Sequence, residues 1–306
     1  MKSILITGAT GRQGSAVIDA LISAQAENNS LEPMHILAVT RNRNSGAAKA
    51  LASKPNVSII EGDLSDADAI FDQATGDGSS IWGVFAVLIN SDEEEKQGKA
   101  LVTASVARGV QHFVYSSGDR GGPERSEEDP TFVKNFAAKF NIEKYLQKLA
   151  ASSSQGMTYT ILRPVTFFEN MTTDIHGKGF ARIWEQMGPN KPLQLISTKD
   201  IGFFAAEALL HSENYRNVGI TLVGDELTQN AADAIFQEVI GYHMPMAPCL
   251  VGSAVKYFLK DTVGDMFRFF EQVGSGGDVA QCRKMFPGLT DYRTWLVEQS
   301  PFVQRT

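Results

Sequence analysis

The chain has only two cysteines, Cys249 and Cys282, in 306 residues. Two thiols cannot build a disulfide framework, so the fold must stand on its own core and suits a reducing compartment. No metal-ligand spacing surrounds either one, which predicts buried structural thiols and no metal. No apolar run approaches the ~20 residues of a membrane span. The first strand starts almost at the N-terminus and leaves no room for a signal peptide. Positive charge is also short, since 28 Lys and Arg against 35 Asp and Glu leave a net charge of −7. That balance argues against nonspecific attraction to nucleic acid or an anionic membrane, and no basic patch offsets it. Repeats, low-complexity tracts and obvious linkers are missing as well. These absences predict a cytoplasmic protein, with nuclear access open, that binds neither membrane nor nucleic acid directly. Apolar content of 43% and charged content of 21% are ordinary for a chain with a full globular core.

What the chain does have begins at Lys2, with the stretch KSILITGATGRQG. Residues 3–7 are short, apolar and β-branched, the pattern of a buried strand. Gly8, Gly11 and Gly14 follow at three-residue spacing, and helical periodicity starts at residue 15. Strand, glycine turn and helix in succession separate a dinucleotide fingerprint from a chance cluster of glycines. Glycine permits the turn and omits the Cβ that would keep a pyrophosphate away. The helix N-terminus then presents free N–H groups to its charge.

Strand patterns recur at 34–40, 56–61, 82–89, 112–116 and 159–163, separated by helical stretches at 66–74, 93–108 and 132–151. Six strand-helix alternations in about 165 residues predict an α/β fold, a Rossmann-type doubly wound parallel sheet. Beyond Pro164 the rhythm breaks. A loop and helix at 196–210, a strand at 220–223 and a helix at 228–240 predict a smaller mixed α/β lobe. The expected division is therefore residues 1–165 for the cofactor and 166–306 for substrate or partner, packed as one body, with the lobe over the open end of the sheet. Residues 241–252 (GYHMPMAPCLVG) read as a loop, suited to a pocket lid because prolines and glycines pack poorly into a core. The aromatic stretch 253–273 reads equally as the lobe's own core or as an adaptable wall for a bulky apolar ligand.

The cofactor can be narrowed. An acid at the end of the second strand normally holds the ribose hydroxyls of NAD. Here the segment is Val39-Thr40-Arg41-Asn42-Arg43, with no carboxylate. A guanidinium binds a 2′-phosphate through paired hydrogen bonds and stacks on adenine, so Arg41, helped by Arg43, favours NADP(H). Gly62-Asp63-Leu64 closes the third strand. Asp63 reads there either as a contact to the adenine edge or as an N-cap for the next helix.

Taken together, these residues resemble the NmrA-like family of atypical short-chain dehydrogenase/reductases, in particular its NADPH-sensing branch. The match runs nearly end to end through GATGRQG, TRN, GDL, KQGK at Lys96, FFEN at Phe167, TKDIG at Thr198 and MFRFF at Met266. GATGxxG is shared by many reductases, whereas FFEN and MFRFF are more specific. The resemblance implies NADP contacts from Gly8, Ala9, Thr10, Gly11, Arg12, Gln13 and the helix start at Gly14. It also implies contacts from Arg41, Asn42, Arg43, Asp63 and Leu64, from Asn90, Lys96 and Lys139, and from Phe167, Phe168, Glu169 and Asn170.

Short-chain reductases use a Tyr four residues before a Lys, with a Ser closing the fifth strand. The lysine's charge lets the phenol pass a proton to the carbonyl oxygen as hydride arrives. Here Ser116 and Ser117 fill the serine position and Lys139 the lysine, but Asn135 stands where the tyrosine belongs. Two functions follow. One is an NADP(H)-dependent reductase for a bulky apolar carbonyl, enone, imine or quinone, with a non-standard proton donor. Candidates for that donor are Lys139, His176, Tyr115 or water, and Ser117 is the retained serine of the catalytic set. The other is a non-catalytic sensor of the NADPH/NADP+ ratio that regulates a protein partner. The apolar lid tips the expectation toward the enzyme.

Overall fold

The computed structural model describes residues 2–28, 30–76, 78–248 and 264–303. The run expected to form the first strand does so as β1 (Lys2–Ile6), with Ile4, Leu5 and Ile6 fully buried. Nine more strands follow: β2 (Met34–Thr40), β3 (Val57–Glu61), β4 (Ile81–Ala86), β5 (His112–Ser116), β6 (Thr158–Pro164), β7 (Thr166–Phe167), β8 (Leu193–Ile196), β9 (Val218–Leu222) and β10 (Asp225–Leu227). Seven of them form one sheet in the order β3-β2-β1-β4-β5-β6-β9, parallel from β3 through β6. The expected Rossmann-type doubly wound parallel sheet is therefore present. A small second sheet, β10-β8-β7, supplies the mixed part.

The helices of the first half are α1 (Arg12–Glu27), α2 (Gly46–Ala52), α3 (Ala67–Ala74), α4 (Glu94–Ala107), α5 (Pro123–Glu128) and α6 (Lys134–Ser152). Later come α7 (Ile175–Glu185), α8 (Thr198–Leu210), α9 (Gln229–Ile240), α10 (Asp265–Gln272), α11 (Val279–Met285) and α12 (Tyr292–Glu298). Their starts are set locally. Ser45, Asp66, Asp174, Thr228, Asp278 and Asp291 each accept a backbone N–H of the first turn of the helix that follows them. Asp66, not Asp63, caps α3, which removes the capping role weighed for Asp63. The loop expected at residue 196 is instead preceded by β8, whose alternation is too short to stand out in sequence.

The chain forms two compact units that interleave in sequence. The first comprises residues 1–117, 138–163 and 201–220, and the second 118–137, 164–200 and 221–306. A single boundary at residue 165 does not reproduce this division. Most of α8 and the start of β9 return to the first unit, while α5 belongs to the second. The first unit's core joins Leu5, Val39, Phe71, Val84, Phe113 and Ile161 across sheet and helices. In the second unit Phe168, Trp184, Phe236, Phe267, Phe269 and Trp295 pack around one another. Cys282 is buried, with its thiol 3.4 Å from the Thr221 carbonyl oxygen, whereas Cys249 lies outside the described residues.

Among the described residues no helix is long and apolar enough to cross a membrane. Nor does any cluster of His, Cys, Asp and Glu there suit a metal ion.

Candidate functional site

In the order β3-β2-β1-β4, the connections reverse direction between β1 and β4, where open α/β sheets bind their ligands at the strands' carboxyl ends. Thr7 pins that point. Its hydroxyl donates to the Val87 carbonyl and accepts the Val87 N–H, both at 2.9 Å. Directly above lies a groove of about 460 Å³. Gly8, Thr10 and Gly11 line it after β1, Val39 to Arg41 at the end of β2, Gly62 to Leu64 after β3, and Val87, Ile89 and Ser91 after β4. Gln97 on α4 completes the wall. All of these belong to the first unit.

The three glycines have separate reasons. Gly8 adopts φ +58°, and a Cβ there would stand 2.7 Å from Val87 Cγ1. A Cβ on Gly14 would lie 2.3 Å from the Gly8 carbonyl oxygen, so only glycine lets α1 press against the turn. Gly11 leaves the N-cap of α1 without a side chain, and no acidic residue occupies the first turn. The first N–H groups of Arg12, Gln13 and Gly14 therefore lack a side-chain cap and suit an anion. Ala9 is buried, and Gln13 is tied across the sheet by the Ser116 hydroxyl, which donates to its Oε1 at 2.5 Å.

The turn after β2 is built by its own polar groups. Asn42 donates its N–H to Thr40 Oγ1 and accepts the Asn44 N–H on Oδ1, leaving Arg41 exposed on the groove. Arg43 is occupied: its Nε lies 2.8 Å from a Glu61 carboxylate oxygen at the end of β3. Asp63 faces the groove. The Ser65 backbone N–H and hydroxyl hold its carboxyl below the usual range, with Arg41's charge adding to the effect. Asn90 and Lys96 are exposed and do not line the groove. The Lys96 side chain is 81% exposed, 3.4 Å from Glu93.

The catalytic candidates are placed very differently. Ser117 donates its hydroxyl to the buried carboxylate of Glu143, which also binds the Arg163 guanidinium (Nη2 to Oε2 2.7 Å), so it is spent on a buried network. Tyr115 is fully buried in the core of the first unit. His176 stands exposed in the first turn of α7 in the second unit, where Asp174 accepts its backbone N–H as the helix cap. Lys139 lies on α6 with its Nζ bonded to Glu94 in the first turn of α4. Only 12% of the Lys139 side chain is exposed, and none of Glu94's. Burial pushes the Glu94 carboxyl pKa up, and the Lys139 charge opposes that rise. Gln97, on the groove, follows Glu94 by one turn of the same helix.

The profile of the NmrA-like family matches residues 1–295. The chain belongs to this family. Among curated proteins it is 28% identical over 186 residues to an NmrA-like family domain-containing oxidoreductase of a Cladobotryum species, covering 56% of this chain and 48% of that one. The chain spans about half the length of the curated relatives it matches. Among solved structures, the NADPH-dependent quinone oxidoreductase of Escherichia coli, complexed with NADPH, superposes with a TM-score of 0.72 at 20% identity, over 96% of this chain and 98% of that one. The negative transcriptional regulator NmrA does so with a TM-score of 0.72 at 17% identity, over 97% and 95%. Both likenesses are likenesses of fold.

In this NmrA-like chain two residues of the FFEN segment are engaged in the second unit's own contacts. Phe168 is fully buried and packs on Tyr292 and Trp295, with ring centroids 5.8 and 5.6 Å away. Glu169 accepts the backbone N–H and hydroxyl of Thr198 at the start of α8, and Phe167 and Asn170 stay half-buried. Nor is the loop after α9 free as a lid over its described part. Asp233 binds His243 and the Met244 N–H, Met244 enters the second unit's core, and the Ala247 carbonyl accepts Arg182 Nε. Residues 249–263, including Tyr257 and Phe258, lie outside the described residues. Sequence reasoning missed Glu61, Glu94, Glu143 and Arg163. Glu94 hid in the run Asp92-Glu93-Glu94-Glu95-Lys96, which reads as a solvated helix face.

Proposed function

We propose that the chain is an NADP(H)-dependent reductase acting on an apolar carbonyl, enone, imine or quinone. The observation that carries this reading is one groove joining a glycine-cradled helix N-terminus to an exposed Arg41 at the end of β2. The residues fit the cofactor. The Gly8–Gly14 turn leaves room for a pyrophosphate at α1, Arg41 can hold a 2′-phosphate, and Ile89, 65% exposed on the groove, offers an apolar face to a ring. NADPH, when bound, supplies the hydride. Lys139 is the proton donor in this reading, because Ser117 and Tyr115 are buried in other contacts and His176 is an exposed helix-start residue. In this reading the first unit holds the cofactor. The names of the oxidoreductase relative and of the quinone oxidoreductase support the reaction class.

The test is twofold. Protein fluorescence titration should show NADPH binding more tightly than NADH, and absorbance at the NADPH band should fall with at least one member of a panel of quinones, enones and imines. Tight NADPH binding with no oxidation by any of them removes the enzyme reading. It favours instead a sensor of the NADPH/NADP+ ratio, which Asn135 in the tyrosine position and the fold likeness to a transcriptional regulator support. A pull-down that recovers the same partners with NADPH and with NADP+ removes the sensor.

A further inference from the structure

Helix α6 carries two charges one turn apart, the mostly buried Lys139 and the fully buried Glu143, and each meets its opposite from another element. Glu143 meets the Arg163 guanidinium and accepts the Ser117 hydroxyl, so both of its oxygens are bonded. The Lys139 pair differs. Glu94 is 0% exposed, yet only one of its oxygens accepts a hydrogen bond, and Oε2 has no partner among the described residues. A buried carboxylate with an unmet oxygen costs stability, and an apolar pair of the same volume would serve packing better. What a carboxylate provides there is charge. It sits in the first turn of α4, where the helix dipole favours the anion, and it faces an ammonium that has little water.

We propose that Glu94 is a positioning residue for Lys139, holding its ammonium charged and fixed beside the first turn of α4. The role rests on the reductase reading above, whereas the contact does not. NADPH, when bound, would supply the hydride to the carbon of the substrate's C=O, and Lys139 Nζ would give a proton to the oxygen. The neutral amine, still beside the Glu94 carboxylate, then takes one proton from solvent, and the pair is restored. Without the carboxylate, a mostly buried ammonium loses its counter-charge, and the share of neutral amine rises.

Neutral amines react with acetic anhydride and ammonium ions do not. Folded wild type, E94Q and E94D, without cofactor, are therefore acetylated briefly at neutral pH. Modification of Lys139 is read by peptide mass spectrometry against exposed Lys96 as internal standard. In E94Q the Lys139 to Lys96 ratio should rise by about tenfold or more, while E94D, which keeps the charge, should stay within about threefold of wild type. An unchanged ratio in folded E94Q, even with a lowered Tm, overturns the proposal, because a merely structural glutamate would show that. If E94Q does not fold, the double variant E94Q/K139M decides. Its recovery of the fold supports the pairing, and its failure to recover overturns it. The labelling needs no turnover, so a protein that oxidises no NADPH loses the reductase reading while this result stands. If it does turn over, E94Q should lower kcat and leave the KM for NADPH within about twofold, since only an interaction of the reacting state is lost.

Discussion

Replacing Arg41 by alanine should convert a binder that prefers NADPH into one that hardly distinguishes NADPH from NADH. A charge-assisted hydrogen bond contributes about 1.5–3 kcal/mol. Arg41 stands exposed on the lip of the groove, where solvent screening keeps the gain near the lower end, so NADPH affinity should fall roughly tenfold. Arg43 cannot make up the loss, because its guanidinium already lies 2.8 Å from Glu61. NADH has no 2′-phosphate, and its affinity should change by less than about twofold. Fluorescence titrations of wild type and R41A with both nucleotides, at low and high KCl, measure this directly. The wild-type preference should shrink as salt rises, and that of R41A should not. Equal weakening of NADPH and NADH would show that Arg41 shapes the loop rather than reads the phosphate. No change in either would remove it from the site. E61Q is the companion: releasing Arg43 should tighten NADPH by about two- to threefold and leave NADH alone.

Three further outcomes follow from the same geometry. G14A puts a methyl 2.3 Å from the Gly8 carbonyl oxygen, so it should cost about 1–3 kcal/mol and abolish the rise in Tm that NADPH gives the wild type. A variant that melts and binds like the wild type would contradict the close helix packing. S117A should leave NADPH oxidation within about threefold, since that hydroxyl is committed to Glu143, whereas a drop of 10²-fold or more would restore Ser117 to the reaction. Asp200 is buried against Thr290, and burial, reinforced by Glu169, pushes its carboxyl pKa from 3.8 up to about 6. The folded form therefore binds more protons than the unfolded form between those values, so this group's contribution is most favourable at low pH and declines as pH rises through 6. D200N should accordingly gain on the wild type between pH 4.5 and pH 8 in urea denaturation. A stability difference that is flat with pH would refute that assignment.

The frame of the molecule was legible because it is written at short range. The spacing of Gly8, Gly11 and Gly14, the apolar run of β1 and the absent acid beside Arg41 are each contained in a few residues. The strand-helix alternation needs only the local period of apolar residues, and it predicted the parallel sheet that orders β3-β2-β1-β4-β5-β6, whereas β9, expected in the smaller lobe, joins that sheet beside β6. Boundaries were less legible where short elements intrude, as with β8, or where the chain returns to an earlier layer, as α8 does.

The fate of individual polar side chains was decided only in three dimensions. Lys139 and Glu94 are 45 positions apart, and Ser117 and Glu143 are 26 apart. Which carboxylate meets which cation, and which hydroxyl is spent on it, depends on helices packing against strands that local periodicity does not pair. The same holds for Phe168, whose place in a cofactor-like motif gave no sign that Tyr292 and Trp295 would claim its ring. Sequence by itself determined the Gly8–Gly14 cradle and Arg41, because backbone dihedrals and strand-end charges are local properties. Tertiary structure decided which of the catalytic candidates are buried, exposed or paired, because burial and pairing exist only once distant elements share a core.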